Sequence, residues 1–501
     1  MAFAFVVLAC GVFSPSLSAG FQSDDLALLH TLRTGGPFSV WSGRGSTSPG
    51  FFRPLISASL WWDATLRGTR AFGFHATNLL AHAANAVLVA LIAAELLADA
   101  TAATLAGLLF LVSPTHAESV AWVVGRTDLL AATCGLAAFL AYLSWVRRGK
   151  VARAYLALAL LLVGLCAKES LICLPLVVAA HAALPAPIDE ARRARIAALV
   201  SIAVIPLYAV ARRIALGEWV GGYGSHAHLS HNPINLATSA IGAWIWSLGL
   251  SRPDPGLLPL AATVLLIASL AGTAVVAVPL LRRRDRLAVF LVVAFYLALL
   301  PGLNLLYSFR GHEGERFLYL ASAFPATLLA HALRPSRERR LGAALAVALL
   351  VASTMIAVGR AQIWQRASAL ATEVADALAA QPSTHPKLLL GLPDSLGDAF
   401  VLRWGLSELL LERHVDPTSV WTVATIALAT IDAPVTTTTE GRHLELRTGS
   451  DARLAQFSPW PAVTIDAKDE HRLALTLAPT FEGDVWAWHD GRMVRLASYP
   501  R

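Results

Sequence analysis

The chain has 501 residues, 56% of them hydrophobic and 15% charged, with a formal net charge of +7 and a mean hydropathy of +0.59. A soluble globular domain carries about 25% charged residues, so these values exclude an ordinary soluble protein. The positive balance comes from arginines clustered in short loops, as in the cytoplasmic loops of membrane proteins, and does not read as a nucleic-acid-binding surface.

Apolar runs long enough to cross ~30 Å of hydrocarbon recur along the chain. Met1 to Gly20 is apolar and lacks a basic leading region, so it is expected to be an uncleaved first span, although Ser16 to Ala19 has the small residues of a cleavage site. Spans are expected near 3–20, 72–97, 101–113, 127–146, 153–166, 170–186, 196–213, 257–281, 287–304, 317–333 and 341–360. The segment 235–250 is short and runs into Ser251-Arg252-Pro253, so it reads as re-entrant or interfacial. Placing the basic loops Arg147 to Arg153, Arg192 to Arg195, Arg282 to Arg286 and Arg334 to Arg340 in the cytoplasm gives about 11 crossings, with the N-terminus inside and the C-terminus outside. Cys10, Cys134, Cys166 and Cys173 all lie in apolar segments, where cysteine behaves as a small buried hydrophobe rather than a disulfide partner.

Beyond Trp364 the pattern changes. Residues 365–380 still read as helix, whereas His443 to Arg447 and Arg472 to Leu477 alternate as strands do. Thr436 to Thr439 reads as a turn or linker. The expected fold class is therefore mostly α: a polytopic helical membrane domain over 1–364, followed by a small α/β or β-rich extracytoplasmic domain over 385–501. No 34-residue repeat is present, so tetratricopeptide units are absent from this chain.

In this topology loops 21–70, 113–127, 167–169, 214–256 and 305–316 all face outward, and they carry the acidic, histidine and tryptophan residues. Chemistry is expected there, because ionisable groups at membrane depth are costly and mark function. Asp24 and Asp25 suit either a helix N-cap, since Ser23-Asp24 is a good capping pair, or a general base whose pKa the neighbouring carboxylate raises. Arg53, Arg126, Lys168 and Arg316 either snorkel to headgroups or line a phosphate site, for which the planar guanidinium fork is well suited. His116, Glu118 and Asp128 lack the i, i+4 spacing of helical metal ligands and have no cysteine beside them, so they fit substrate orientation better than metal binding. Glu169 beside Lys168 suits an intrahelical pair at a helix start or a place in the pocket. His75, Asn78 and His82 share one helix face, a stripe suited to interhelical hydrogen bonding.

Five segments carry a family resemblance, in chain order: Phe52-Arg53-Pro54-Leu55, Gly73 to Asn85, Ser113 to Leu130, Ala167-Lys168-Glu169-Ser170 and Glu315 to Leu320. Together they resemble the transmembrane and tetratricopeptide-repeat O-mannosyltransferases and their bacterial relatives, which are GT-C-type polytopic glycosyltransferases. The resemblance covers roughly residues 20–365, and Pro114 to Leu130 is its most specific part.

The resemblance implies a sugar moved from a polyprenyl-phosphate donor at the lumenal or periplasmic face, with inversion at the anomeric carbon. Asp24 or Asp25 would be the base. Arg53, Arg126, Lys168 and Arg316 would hold the lipid phosphate, with His116, Glu118, Asp128 and Glu169 also lining the substrate site. No cofactor is required, since a single phosphate needs no diphosphate metal clamp. The expected partners are the polyprenyl-phosphate-linked sugar, membrane lipid and an acceptor protein, lipid or glycan, with no nucleic acid. The repeats of that family are missing here and residues 385–501 stand in their place, which leaves the acceptor open. Richness in Ala, Leu and Arg points to a bacterial inner membrane, with the C-terminal domain periplasmic. Two other classes compete: a transporter or flippase of lipid-linked sugars, for which internal repeats would speak, and a non-catalytic membrane scaffold.

Overall fold

Apolar segments that satisfy their own backbone polar groups fold as helices, and alternating segments fold as strands. The structure, a computed structural model, follows that division in two units. One comprises Met1–Ser18, Thr31–Pro253 and Leu258–Ala361; the other comprises Ala19–His30, Asp254–Leu257 and Gln362–Arg501. Described residues are 2–42, 50–68, 70–219, 222, 232–248, 285–303, 305, 314–333, 339–380 and 386–499. The span expected at 257–281 lies outside them, as do part of loop 214–256 and most of loop 305–316.

The first unit is helical. Its elements begin with α1 (Ala2–Val12) and α2 (Ser14–Leu17), separated where Pro15 enters the first turn of the second. α3 (Asp24–Gly35) begins in the other unit and ends in this one. There follow α4 (Pro54–Arg67), α5 (Ala71–Leu97), α6 (Ala100–Leu111), α7 (Ala117–Ala121), α8 (Arg126–Arg148) and α9 (Val151–Leu165). After these come α10 (Leu174–Ala182), α11 (Ile188–Leu216), α12 (Pro233–Ser247), α13 (Arg286–Leu299) and α14 (Ala323–Ala332). α15 (Arg339–Ala379) contributes its residues up to Ala361 here and the rest to the second unit. Single 3₁₀ turns at Pro114–His116, Glu169–Cys173 and Glu315–Leu318 interrupt the helices.

Among the described residues four helices are long and apolar enough to cross a membrane: α5, α8, α11 and the part of α15 from Gly342 to Ala379. A fifth span forms if α6 and Pro114–Ala121, bent by 50°, are taken together. The larger number expected from sequence, about 11, counted 257–281 and several apolar helices of 10–17 residues, which are shorter than a straight crossing of ~20 residues. Segment 235–250, expected not to cross, falls largely on α12, a helix of 15 residues. The helix α4 was not among the expected spans.

Charge segregates to the two ends of the α5–α8 pair. Both helices start at charged turns beside Arg70 and Arg126, and both end together where Arg147 and Arg148 hold Glu95 at 2.9 and 2.7 Å. At 1.5 Å per residue, 27 and 23 residues separate those ends by roughly 35–40 Å, a full bilayer. Asp99 caps α6 by accepting from the N–H groups of Thr101 and Ala102, at 2.9 and 3.0 Å. At Gly164 and Gly135 there is no room for a Cβ: one would lie 2.3 and 2.5 Å from the Leu171 methyls. Leu171 therefore plugs between α8 and α9 where only small residues let the backbones approach.

The second unit is built on two sheets. β1 (Lys387–Leu396) lies at the centre of the larger one, parallel to β3 (Val420–Leu428) and β9 (Gly483–His489), with the two-residue β2 (Ala399–Phe400) also paired to it. β6 (Ala452–Phe457) and β10 (Arg492–Tyr499) form its antiparallel edges. All ten residues of β1 are buried, as expected for a parallel strand covered on both faces. Lys387 opens it opposite Asp484; burial pushes its ammonium below the usual lysine range, against the raising pull of the aspartate. A single helix, α16 (Leu406–Glu412), follows β2.

The smaller sheet, in the order β4-β5-β8-β7, is wholly antiparallel. It contains the strands expected at 443–447 and 472–477, as β5 (His443–Thr448) and β8 (Arg472–Leu477), with β7 (Val463–Lys468) beside them. Thr436 to Thr439, expected as a turn or linker, is instead the body of β4 (Val435–Glu440). β-branched threonines favour the extended chain, and the turn lies one step later. Glu440 pairs with His443, leaving Gly441-Arg442 as a two-residue hairpin turn whose first position, at φ 61°, takes glycine.

Candidate functional site at the charged end of the helical unit

Asp24 and Asp25 are the first two residues of α3 and belong to the second unit. Asp25 is buried, and its Oδ2 accepts from the Gln22 N–H at 3.2 Å, so it closes the turn that starts the helix. Asp24 is half-buried. The turn is clamped within that unit: the Ser23 N–H donates to Val401 O at 3.2 Å, and Gly405 abuts Ser23 and Leu26.

The other candidate residues lie in the helical unit, and the structure brings most of them to one end of it. Arg53 precedes Pro54, which occupies the first turn of α4, where a missing N–H costs nothing. Its guanidinium makes a two-pronged pair with Glu169, Nε to Oε2 at 3.1 Å and Nη2 to Oε1 at 2.6 Å, and lies 4.2 Å over the Phe51 ring. Arg212, from the last turn of α11, approaches the same carboxylate at 3.9 Å. The Leu55 N–H donates to Cys166 O at 3.1 Å, tying the start of α4 to the corner that carries Lys168 and Glu169.

Lys168 donates to Asp128 Oδ1 at 2.5 Å. Arg316 donates to Glu118 Oε1, while the backbone N–H groups of Gly314 and Arg316 both reach Glu118 Oε2 at 3.0 Å. Gly314 sits at φ 89°, a left-handed conformation that turns its N–H onto the carboxylate. The Phe317 ring joins the two pairs, with Lys168 Nζ and Arg316 Cζ each 4.8 Å from its centre. Four cations, Arg53, Lys168, Arg212 and Arg316, thus share this end with three carboxylates, Glu118, Asp128 and Glu169.

Arg126 and His116 are placed differently. Arg126 is fully buried and donates to Asn78 Oδ1 at 2.9 Å, Phe74 O at 2.9 Å and Ser59 Oγ at 3.1 Å, with Asp63 2.7 Å away. These partners come from α4 and α5, so the side chain staples α8 to both. His116 lies among His82, Phe110 and Tyr319, with the Phe110 and Tyr319 ring centres each 4.5 Å away. The Ser322 hydroxyl donates to Tyr319 O at 2.8 Å, so His116 Nε2 donates to Ser322 at 2.8 Å. Likewise His82 Nε2 must donate to the Leu111 carbonyl, 3.0 Å away. Its Nδ1 then accepts from the Tyr319 hydroxyl at 2.7 Å, and that oxygen accepts from Asn85 at 3.1 Å. This is a buried polar network in the interior, of the kind the His-Asn stripe led one to expect.

Sequence reasoning missed Asp63, Arg212, Glu315 and Arg360. Arg360 donates to the Glu315 carboxylate and to Pro114 O at 3.0 Å, fastening the 314–318 turn to the bend after α6. A signal was available for three of them. Arg212 and Arg360 stand at the outward ends of their spans, against the positive-inside rule, and Asp63 is a lone acid in an apolar helix. Among the described residues no three His, Cys, Asp or Glu side chains converge as a metal-ligand set.

The chain resembles the O-mannosyltransferases named TMTC. Over 103 residues it is 43% identical to Protein O-mannosyl-transferase Tmtc2 of Drosophila melanogaster, covering 20% of this chain and 11% of that protein. It is 33% identical over 147 residues to Protein O-mannosyl-transferase TMTC1 of Homo sapiens, covering 26% of this chain and 17% of that one. Over 127 residues it is 35% identical to Protein O-mannosyl-transferase Tmtc1 of Drosophila melanogaster, covering 25% of this chain and 15% of that one. The chain thus spans 11–17% of the length of these relatives. No protein-family model matches it. Among solved structures, the crystal structure of ArnT from Cupriavidus metallidurans bound to undecaprenyl phosphate aligns with it at a TM-score of 0.39 and 15% identity, over 95% of this chain and 98% of that one.

Proposed function

We propose that the chain is a GT-C-type membrane glycosyltransferase that moves a sugar, mannose being the first candidate, from a polyprenyl-phosphate donor to an acceptor outside the cytoplasm. The observation that carries the reading is the gathering of Arg53, Lys168, Arg212 and Arg316 with fewer carboxylates at one end of an apolar helical unit. The similarity to O-mannosyltransferases supports it.

The chemistry follows from charge. The donor is a phosphodiester with one negative charge. As the acceptor hydroxyl attacks the anomeric carbon, the bond from that carbon to the phosphate oxygen breaks and the leaving phosphate gains a second charge. Cations already held in place by Glu118, Asp128 and Glu169 stabilise that growing charge without reorganising at the moment of reaction. Arg126 contributes by holding α4, α5 and α8 together rather than by touching phosphate. The acceptor proton goes to a carboxylate of the first outward loop. Of the two there, Asp25 is buried and Asp24 half-buried, so Asp24 is the more accessible candidate base and Asp25 its neighbour. No divalent metal is needed to neutralise a single phosphate. The outward face is the periplasm of a bacterial inner membrane, with residues 385–501 on that side.

The test is turnover of labelled polyprenyl-phosphate sugars by the purified protein in nanodiscs. Wild type is expected to release polyprenyl phosphate, and EDTA to leave the rate unchanged. The double variant Asp24→Asn, Asp25→Asn should lose about 10²–10⁴-fold in turnover with donor affinity kept. Arg316→Ala should weaken donor binding instead. Full turnover by the double variant would put the base elsewhere. The 50° break between α6 and Pro114–Ala121 favours one rival, since broken helices mark transporters. Movement of intact donor across the bilayer without release of sugar would establish that rival.

A further inference from the structure

The other end of the helical unit, away from the cluster of Arg53, Lys168, Arg212 and Arg316, holds a cavity the proposed reaction does not use. A cavity of about 310 Å³ opens among α8, α9, α10 and α11, with Phe139, Tyr142, Trp145, Leu158, Leu161 and Val200 among its walls. Its lining is almost wholly apolar, and the Tyr142 hydroxyl is engaged to His181 Nδ1 at 2.8 Å. Beside it Val151, Tyr155 and Leu199 are exposed, the last two by 71%, so this flank faces hydrocarbon rather than water. Along α9 the cavity runs from Val151 to Leu161, which at 1.5 Å per residue is about 15 Å, half the ~30 Å hydrocarbon thickness. That is the depth of one leaflet. A slot without polar walls takes an acyl chain and excludes a headgroup.

The rim supplies what the slot lacks. The corner from the end of α8 to the start of α9 carries Arg147, Arg148, Lys150 and Arg153, and the start of α11 carries Arg192, Arg193 and Arg195. Against these stand Glu95, Asp189 and Glu190. Arg193 is fixed at the mouth: its Nε donates to Val146 O at 2.7 Å, and its Nη1 lies 3.6 Å from where a Cβ on Gly149 would be. Lys150, Arg153, Arg192 and Arg195 are exposed and make no ion pair among the described residues. Trp145 and Tyr155 flank this rim as interfacial aromatics do. We infer that the cavity and rim together form a site for one anionic glycerophospholipid of the leaflet the basic loops face, with one acyl chain in the slot and its phosphate on the rim.

Native mass spectrometry of the detergent-purified protein with dioleoyl-phosphatidylglycerol and dioleoyl-phosphatidylcholine tests this. Wild type should retain one phosphatidylglycerol with a preference of about tenfold or more. The triple variant Lys150→Gln, Arg153→Gln, Arg192→Gln should lose that preference. Ala154→Trp, which fills the slot, should lose retention of the lipid while its helix content by circular dichroism stays that of wild type. Equal retention of the two lipids by wild type, a preference that survives the triple variant, or wild-type retention by Ala154→Trp would each overturn the inference. Displacement of phosphatidylglycerol by equimolar polyprenyl phosphate would overturn it in favour of the carrier as occupant.

Discussion

Arg126 and Arg316 carry the same charge and both stand in segments of the family resemblance, yet their surroundings give them different work. Arg126 is fully buried and surrounded by partners on α4 and α5. Arg316 is also buried, but it lies over the Trp122 and Phe317 rings as well as pairing with Glu118, within the cluster of cations. Removing one partner of a buried pair strands the other charge, at a cost of about 3–5 kcal/mol. Arg126→Met is therefore expected to lower thermal stability in detergent by about that much, with donor affinity of the folded fraction retained. A variant that melts like wild type but no longer binds donor would make Arg126 a ligand after all. Arg126 could not be told from Arg316 in the sequence, because Asp63 and Asn78 lie 63 and 48 positions from it in the chain and meet it only through helix packing.

At the scale of elements, the site depends on short 3₁₀ turns more than on the long helices. Pro114–His116, Glu169–Cys173 and Glu315–Leu318 each stop a helix or start one, and the last two carry Glu169 and Arg316 of the cluster. The turn at 315–318 is aimed by Gly314, whose left-handed backbone lets two successive N–H groups grip Glu118. Gly314→Ala should cost about 1–2 kcal/mol of stability and weaken donor binding by misplacing Arg316, read by melting and by donor titration. Unchanged donor affinity would separate this turn from the site. The apolar periodicity of the helices was legible in the sequence, and most of the expected spans fall on observed helices. The length of each helix was less so. Pro15 cuts the first span, and the first turn of the span expected at 170–186 is 3₁₀, because local hydrogen bonding rather than hydrophobicity sets such ends.

On the scale of the whole molecule, the chain divides at Ala361/Gln362, close to where its composition changes, but one early segment crosses that division. Residues 19–30 precede the first long helices, yet they belong with the sheets near the C-terminus. The Ser23 N–H bonds to Val401, and Gly405 leaves no room for a Cβ against Ser23 and Leu26. A fragment of residues 362–501 is expected to melt at a lower temperature than the same fragment with residues 19–30 added as a peptide. Equal melting would mean that those contacts contribute nothing to its stability.

The sequence by itself determined the membrane class, the positions of most helices and two of the strands. Those features depend on local periodicity and on the cost of burying charge, both of which are written residue by residue. It also marked out the ionisable residues, because acids and bases stand out in an apolar chain. Only the tertiary structure decided their partners. It sent Arg126 and His116 into the interior and brought Arg212 to Glu169. It also grouped Asp24 and Asp25 with strands that lie over 350 residues further along the chain. Pairing of that kind depends on which helix faces meet, and no run of neighbouring residues encodes that.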